Sequence, residues 1–165
     1  MLFGVKRHDD TTILNSLKVG DETSAEPLKV TTKNGEFWRR FTFDGYGEQA
    51  NGNDWDLFFD NPARQTFGRA WPLLAGERGE YELIAGKDAA ARLRAIAGAA
   101  NDGMMLPEQV WDDQSPPGET SGKGTRSGTP LAWTHGAFVR LAWSIDAGRP
   151  VEQPSIVACR YVRRC

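Results

Sequence analysis

The segment from Thr129 to Ala147 is the feature that most constrains how this 165-residue chain can fold. Its apolar residues recur every three or four positions, which predicts an amphipathic helix. Thr129 is a suitable N-cap, Pro130 fits the first turn, and Gly148 with Pro150 ends the segment. The predicted inward face consists of Leu131, Thr134, Phe138, Leu141, Ala142 and Ile145.

Three further helices are predicted, over residues 88–100, 71–84 and 10–19. The first has Asp88 as its expected N-cap and an apolar stripe of Ala89, Leu93, Ile96, Ala97 and Ala100. The second has Leu74, Tyr81, Ile84 and Ala85 on one face, and it contains Gly76 and Gly79. Because glycine disfavours a helix, these two residues indicate close packing against a neighbour. The third has Ile13, Leu14 and Leu17 facing inward.

Long loops connect these helices. Residues 20–68 show little helical periodicity, with short strands expected at Leu28–Thr32 and Trp38–Phe43, and residues 103–129 are rich in Gly, Ser, Pro and Asp. Loops of this length are uncommon in a compact domain unless they are functional. The pattern predicts a single all-α domain over residues 1–165, with its site on one rim of a helical scaffold.

Composition excludes several classes of function. The formal net charge is −2 and no block of like charge occurs, so nucleic acid is not an expected partner. Arg160, Arg163 and Arg164 are expected to form a solvated tail. No apolar run has the length of a membrane span. Cys159 and Cys165 can form a local disulfide but offer no zinc-binding spacing.

Two common ligand-binding motifs, the phosphate-binding loop and the EF-hand, do not match the sequence. The stretch Gly118–Thr125 lacks the spacing of a phosphate-binding loop, and residues 51–56 lack the central Gly and terminal Glu of a calcium-binding EF-hand. Calcium is therefore only weakly indicated there, and no cofactor is expected. No G-x-S-x-G nucleophile elbow occurs in the sequence, so His8 and His135 do not indicate a serine hydrolase.

Glu108 is the best candidate for chemistry. It follows Pro107 and lies between apolar residues, so desolvation is expected to raise its pKa, and Gln109 can hold its orientation. A Glu near a helix start is also a common structural feature. Aromatic residues in the loops, Trp38, Tyr46, Trp55 and Trp111, offer ring faces of the kind that bind sugars, although each can equally be a core residue.

Four segments together resemble the C-terminal part of the catalytic domain of glycoside hydrolase family 15, which includes bacterial glucoamylases and glucodextranases. They are WRRFTFDGYGE (38–48), GRAWPLLAGERGEYEL (68–83), MLPEQVWD (105–112) and GTPLAWTH (128–135). The resemblance implies part of an (α/α)6 barrel with long loops and a few short strands. It also implies hydrolysis of α-glucosidic bonds from the non-reducing end of glucans, with inversion of configuration.

The same resemblance implies roles for particular residues. Glu108 matches the general base that activates water, and Arg40 with Asp44 matches the loop that binds the terminal glucose. Tyr46 belongs to the same loop. Trp71 matches an aromatic near the sugar subsites, and Trp111 is a candidate sugar platform beside the base.

The general acid of the family has no counterpart here, because Glu48, Glu77 and Glu80 do not match its motif. The isolated chain is therefore expected to show little glucan hydrolase activity and to self-associate through exposed helix faces. Two alternatives remain: a non-catalytic sugar-binding or partner-binding helical remnant, and a trehalase-like hydrolase. Linkage preference and compartment stay open; an upstream signal peptide in a longer parent chain would make it periplasmic or secreted.

Overall fold

A computed structural model describes residues 1–22, 27–54, 66–112, 114–163 and 165. Five helices and two strands lie within these residues. In chain order they are α1 (Thr11–Asp21), β1 (Lys29–Thr32), β2 (Gly35–Trp38), α2 (Pro72–Ile84), α3 (Ala90–Gly98), α4 (Ala132–Ala147) and α5 (Ser155–Val162). The predicted mostly helical class is confirmed. The described residues do not themselves form a closed barrel.

Helix α2 lies at the centre and packs against both α3 and α4. The two glycines of α2 make the α4 contact close. A Cβ placed on Gly79 would lie 2.6 Å from Leu141 Cδ2, and one placed on Gly76 would lie 3.0 Å from Ala137 Cβ. The expectation that a neighbouring element requires these glycines is confirmed, and that neighbour is α4.

Helix α4 ends as predicted but begins later. Gly148 adopts the left-handed conformation at the C-cap, and its backbone N–H donates to the carbonyl of Ile145. The helix starts at Ala132 with Leu131 at the N-cap position, so the expected capping role of Thr129 is wrong. The Thr129 hydroxyl instead donates to the carbonyl of Ser127, within the preceding loop.

The predicted face of α4 packs inward, with Thr134 and Leu141 fully buried. The opposite face is exposed and apolar: Trp133 is 65%, Val139 60% and Trp143 63% exposed. An apolar face of this kind on a helix normally meets a partner. These three residues are called the α4 outer face below.

Helix α3 begins at Ala90 with Ala89 at the N-cap position, so the expected N-cap role of Asp88 is wrong. The Asp88 carboxylate still accepts a hydrogen bond from the backbone N–H of Ala90, just before the first turn. Ile96 is fully buried in the core that α3 shares with α2 and β2. Ala97 was assigned to the inward stripe, and this is wrong, since it lies exposed on the outer side.

Helix α1 also begins where predicted, with the Thr12 backbone N–H donating to the Asp10 carboxylate. Its predicted inward face is wrong: no residue of α1 is fully buried, and Leu14 is 46% exposed. Polar contacts at its end hold it instead. Asp21 pairs with Arg78 of α2 at 2.6 Å and accepts a hydrogen bond from the Trp38 indole.

The C-terminal segment is not the solvated tail that its arginines suggested. Residues 155–162 form α5, with Ala158 and Val162 buried. The N-terminal segment packs onto this end of the chain, where Gln153 donates to the carbonyls of Met1 and Leu2. Arg160 and Arg163 are exposed, and Arg164 lies outside the described residues. Cys159 and Cys165 form the local disulfide.

Strands β1 and β2 pair antiparallel, with Val30 opposite Phe37. The first predicted strand is confirmed, whereas the second is wrong because β2 ends at Trp38, where that strand was expected to begin. Phe37 and Trp38 point into the core beside α2 and α3. Within the described residues, no helix has the length and apolar character to cross a membrane.

Candidate active site

An irregular three-stranded ribbon carries the candidate base. Its middle segment, residues 108–112, lies between residues 69–71 and residues 122–125. The backbone N–H of Val110 donates to the Ala70 carbonyl on one side, and that of Trp111 donates to the Lys123 carbonyl on the other, each at 2.9 Å. The Glu108 backbone N–H donates to the carbonyl of Gly128. Since both neighbours hold this segment, the position of Glu108 is well defined.

Two contacts from α4 fix the approach to Glu108. The Thr134 hydroxyl donates to the Pro107 carbonyl at 2.9 Å, and His135 Nε2 accepts from the backbone N–H of Leu106 at 3.0 Å. His135 therefore has a structural role here. The rigid helix thus aligns the start of the base-bearing segment.

The Glu108 side chain is half-buried, and burial raises the pKa of its carboxyl above the usual value. Hydrogen bonding from Gln109 and Tyr46 and the positive charge of Arg40 oppose this rise in pKa. The negative charge of Glu48 adds to it. A carboxylate with a raised pKa that still accepts hydrogen bonds has the properties of a general base.

Arg40 forms the second part of the site. Its Nε and Nη2 donate to the two oxygens of Asp44, at 2.7 and 2.8 Å. Its guanidinium stacks over the rings of Trp71 and Tyr46, at 4.8 and 4.9 Å from their centroids. The Asp44 side chain is almost completely buried, whereas that of Arg40 is about one-third exposed. This arrangement fixes a cation in one orientation while leaving part of it open.

A cavity of about 290 Å³ adjoins these groups. Its lining includes the predicted base and a residue of the Arg40 stack, together with loop residues: Tyr46, Gly47, Glu48, Asp54, Glu108, Gln109, Arg126, Ser127 and Gly128. Its volume is near the lower end of the range for small-molecule sites. Three carboxylate residues line this cavity: Glu108, Glu48 and Asp54.

A larger cavity of about 500 Å³ is lined by Asp44 but not by Glu108. Two of its charged lining groups, Lys29 and Asp44, pair with Glu36 and Arg40 outside the lining. The other three bind each other: Asp112 pairs with Arg39 at 2.6 Å and with Arg69 at 2.9 Å. This buried triad stabilises the ribbon and leaves little charge for a ligand. The smaller cavity is therefore the better candidate site.

The structure brings together five of the six predicted site residues: Glu108, Arg40, Asp44, Tyr46 and Trp71. The exception is Trp111, whose side chain is fully buried. The Arg69 guanidinium lies over the Trp111 ring, 5.2 Å from the ring centroid. The expectation that Trp111 is an open sugar platform is therefore wrong. Trp38 is also buried, and Trp55 lies outside the described residues.

Residues that sequence analysis did not assign to the site include Glu48 and the loop residues 126–128. Glu48 and Gly128 lie at the ends of the family-like segments 38–48 and 128–135, but no periodic signal marks them as site residues. Only the folding of two distant loops brings them to Glu108. For calcium, no group of three or more His, Cys, Asp or Glu side chains with metal-binding geometry occurs in the described residues. Asp56, in the segment considered for calcium, lies outside them.

No protein-family model matches the sequence. A glucoamylase of Clostridium sp. (strain G0005) is 41% identical over 161 residues, which are 98% of this chain and 20% of that protein. A crystal structure of a bacterial glucoamylase complexed with acarbose aligns with a TM-score of 0.82 and 41% identity, over 98% of this chain and 21% of that one.

The chain is similar to one segment of bacterial glucoamylase. Identity and backbone agreement extend over nearly all its residues, so the similarity does not rest on one motif. The chain spans about one-fifth of the length of each glucoamylase that it matches.

Proposed function

We propose that this chain carries the general-base part of an inverting, exo-acting α-glucosidase site that removes glucose from the non-reducing ends of glucans. The observation that carries the proposal is the position of Glu108, half-buried at a cavity beside the stacked Arg40 guanidinium. Tyr46 links the two groups, because its ring stacks on the Arg40 guanidinium and it lines the same cavity as Glu108. The acarbose complex of the related glucoamylase supports a sugar as the ligand.

In the proposed reaction, Glu108 is ionised and accepts a proton from a water molecule as that water attacks the anomeric carbon. Inversion requires a second carboxyl group roughly 6.5–9.5 Å from the base, with the water between the base and the sugar. A base works best when its pKa is not far below the working pH. The raised pKa of Glu108 agrees with this requirement.

The residues around Glu108 take supporting roles. The exposed part of Arg40 donates hydrogen bonds to sugar hydroxyls, while Asp44 and the rings of Tyr46 and Trp71 hold its orientation. Trp71 is only 5% exposed, so its contribution is support of Arg40 instead of a broad sugar platform. The Tyr46 hydroxyl hydrogen-bonds Glu108 and keeps the base from rotating.

The general acid of the proposed reaction is assigned to the part of a full-length glucoamylase that this chain does not match. Glu80 is unsuited to the role because it binds Arg140 at 3.0 Å and Ser144 at 3.2 Å, between α2 and α4. Glu77 lies exposed on α2. The 165-residue polypeptide alone is accordingly expected to hydrolyse maltose or longer glucans very slowly.

A chimera tests the proposal. This chain replaces the matching fifth of the Clostridium sp. glucoamylase, and hydrolysis of maltooligosaccharides is followed by NMR of the anomeric protons. We expect turnover that releases β-glucose, and Glu108→Gln in the chimera should lower kcat by about a thousandfold or more while sugar binding persists. Glu77→Gln is the matched control and should leave kcat unchanged.

Two results would contradict the proposal. Full turnover by the Glu108→Gln chimera would remove Glu108 from its role as base. Release of α-glucose would exclude inversion. Acarbose binding by a well-folded chimera that shows no turnover would instead favour the non-catalytic sugar-binding alternative.

A further inference from the structure

Glu48 is a buried residue with one carboxylate oxygen, Oε2, that accepts no hydrogen bond from the described part of the chain. It is 2% exposed, and its Oε2 has no hydrogen-bond partner among the residues that the structure describes. Burying a carboxylate oxygen without a donor is unfavourable, and in folded proteins such oxygens normally find one. The isolated chain therefore holds an unused acceptor in its interior.

Backbone contacts fix the position of Glu48. The Glu48 carbonyl accepts from the backbone N–H of Phe67 at 2.9 Å, and the adjacent Gln49 forms an antiparallel bridge with Thr66. Other buried acids differ in this respect. Glu82, for example, is held by Arg78 and Arg92, so its carboxylate crosslinks the fold.

The Glu48 side chain lines the same 290 Å³ cavity as Glu108. Two other charged residues that line this cavity, Asp54 and Arg126, already pair with each other at 3.4 Å. A ligand that enters the cavity therefore meets an acceptor at Glu48 for which no described residue competes. A sugar carries hydroxyl donors on every side and matches this need.

We propose that Glu48 is a sugar-binding residue that accepts a hydrogen bond from a hydroxyl of the glucoside bound beside Glu108. This inference rests on the proposed function, because it requires that the cavity binds a sugar. The proposed role of Glu48 is recognition of the sugar, which is distinct from the proton transfer assigned to Glu108. The negative charge of Glu48 also helps to keep the pKa of Glu108 high, so the two carboxylates act on one ligand and on each other.

The test uses the 165-residue chain and acarbose, with binding measured by isothermal titration calorimetry and stability by thermal unfolding. Glu48→Gln preserves size and removes the charge. We expect acarbose affinity to fall about tenfold or more, since a hydrogen bond to a charged group is lost. Without ligand, Glu48→Gln should unfold at the same temperature or higher, because the buried charge has no partner to lose.

Glu80→Gln is the matched control, because Glu80 is equally buried but has partners in Arg140 and Ser144. It should lower the unfolding temperature and leave acarbose affinity unchanged. If Glu48→Gln unfolds at a lower temperature in the same manner, Glu48 has a structural role and the inference is overturned.

Arg40→Lys separates this inference from the proposed function. If Arg40→Lys weakens acarbose binding and Glu48→Gln does not, the cavity binds sugar but Glu48 does not contact it. If the unmodified chain shows no saturable binding of acarbose, both the sugar site and the role of Glu48 are overturned for this polypeptide.

Discussion

The backbone N–H of Arg69 donates to the side-chain oxygen of Gln109 at 2.6 Å, across forty positions of sequence. The amide nitrogen of Gln109 donates in turn to the Tyr46 carbonyl at 2.9 Å. The Gln109 side chain is fully buried, so both ends of its amide are used without competition from water. One residue beside the proposed base thus joins the three segments that make the site.

Gln109→Ala should lower the free energy of unfolding by about 2–4 kcal/mol, because two buried backbone groups lose their partners. Urea denaturation of the 165-residue chain measures this change. Gln114→Ala, at an exposed position, is the control and should change stability by less than about 0.5 kcal/mol. Equal, small effects of both changes would show that the Gln109 amide does not hold the site together.

Gly79→Ala should destabilise the chain by about 1–3 kcal/mol, although alanine favours helix more than glycine does. The added Cβ would lie 2.6 Å from Leu141 Cδ2. Gly136→Ala in α4 is the matched control, since no atom lies within 4 Å of its added Cβ, and it should stabilise by up to about 1 kcal/mol. Thermal unfolding of the two variants should therefore shift in opposite directions.

Glu108→Gln should stabilise the chain in a pH-dependent way. Burial raises the pKa of Glu108 in the folded state, so the folded chain binds this proton more tightly than the unfolded chain. The unmodified chain therefore loses stability as pH rises from the unfolded pKa, about 4.3, to the higher folded pKa. The stability advantage of Glu108→Gln over the unmodified chain should grow across this window and then level off.

Urea unfolding of both proteins between about pH 3 and pH 8 measures this difference, bracketing the reference pKa. Tyr46→Phe provides a second arm, because the Tyr46 hydrogen bond lowers the pKa of Glu108 and its loss should extend the window to higher pH. Arg40 and Glu48, the charged residues that also affect the pKa of Glu108, are unchanged in both variants. A difference in stability that does not vary with pH would contradict the raised pKa.

Arg40→Lys should weaken acarbose binding about tenfold, because lysine cannot reproduce the paired hydrogen bonds to Asp44 or the stacking on Tyr46 and Trp71. Calorimetric titration measures the affinity. Arg94→Lys is the control, since Arg94 forms only an exposed ion pair with Asp88. An unchanged affinity in Arg40→Lys would mean that positive charge alone suffices.

Replacing Trp133 and Trp143 by Gln should reduce self-association, because both belong to the apolar α4 outer face. Sedimentation velocity across a range of concentrations measures the change, and the double variant should remain smaller at high concentration. Asp146→Asn, exposed on the same helix, is the control. If the unmodified chain is monomeric throughout, this face does not mediate self-association.

Particular residues show what the pattern of the chain could predict. The apolar spacing of residues 131–145 and the left-handed Gly148 were enough to predict the inward face and the end of α4, because both depend on local geometry. The Gly pair in α2 predicted a close neighbour but could not name Leu141. Residues 155–162 escaped prediction because a helix of eight residues is too short for its apolar spacing to distinguish it from a loop.

By itself the sequence determined the core helices of this protein and the identity of Glu108 as its most promising carboxylate, since periodicity, glycine use and local apolar company are readable along the chain. Only the tertiary structure decided that Trp111 is buried, that Arg40 is clamped by Asp44 between two rings, and that Glu48 shares a cavity with Glu108. These outcomes depend on contacts between loops far apart in sequence. No local pattern encodes that Trp111 is buried or that Glu48 Oε2 finds no donor among the described residues.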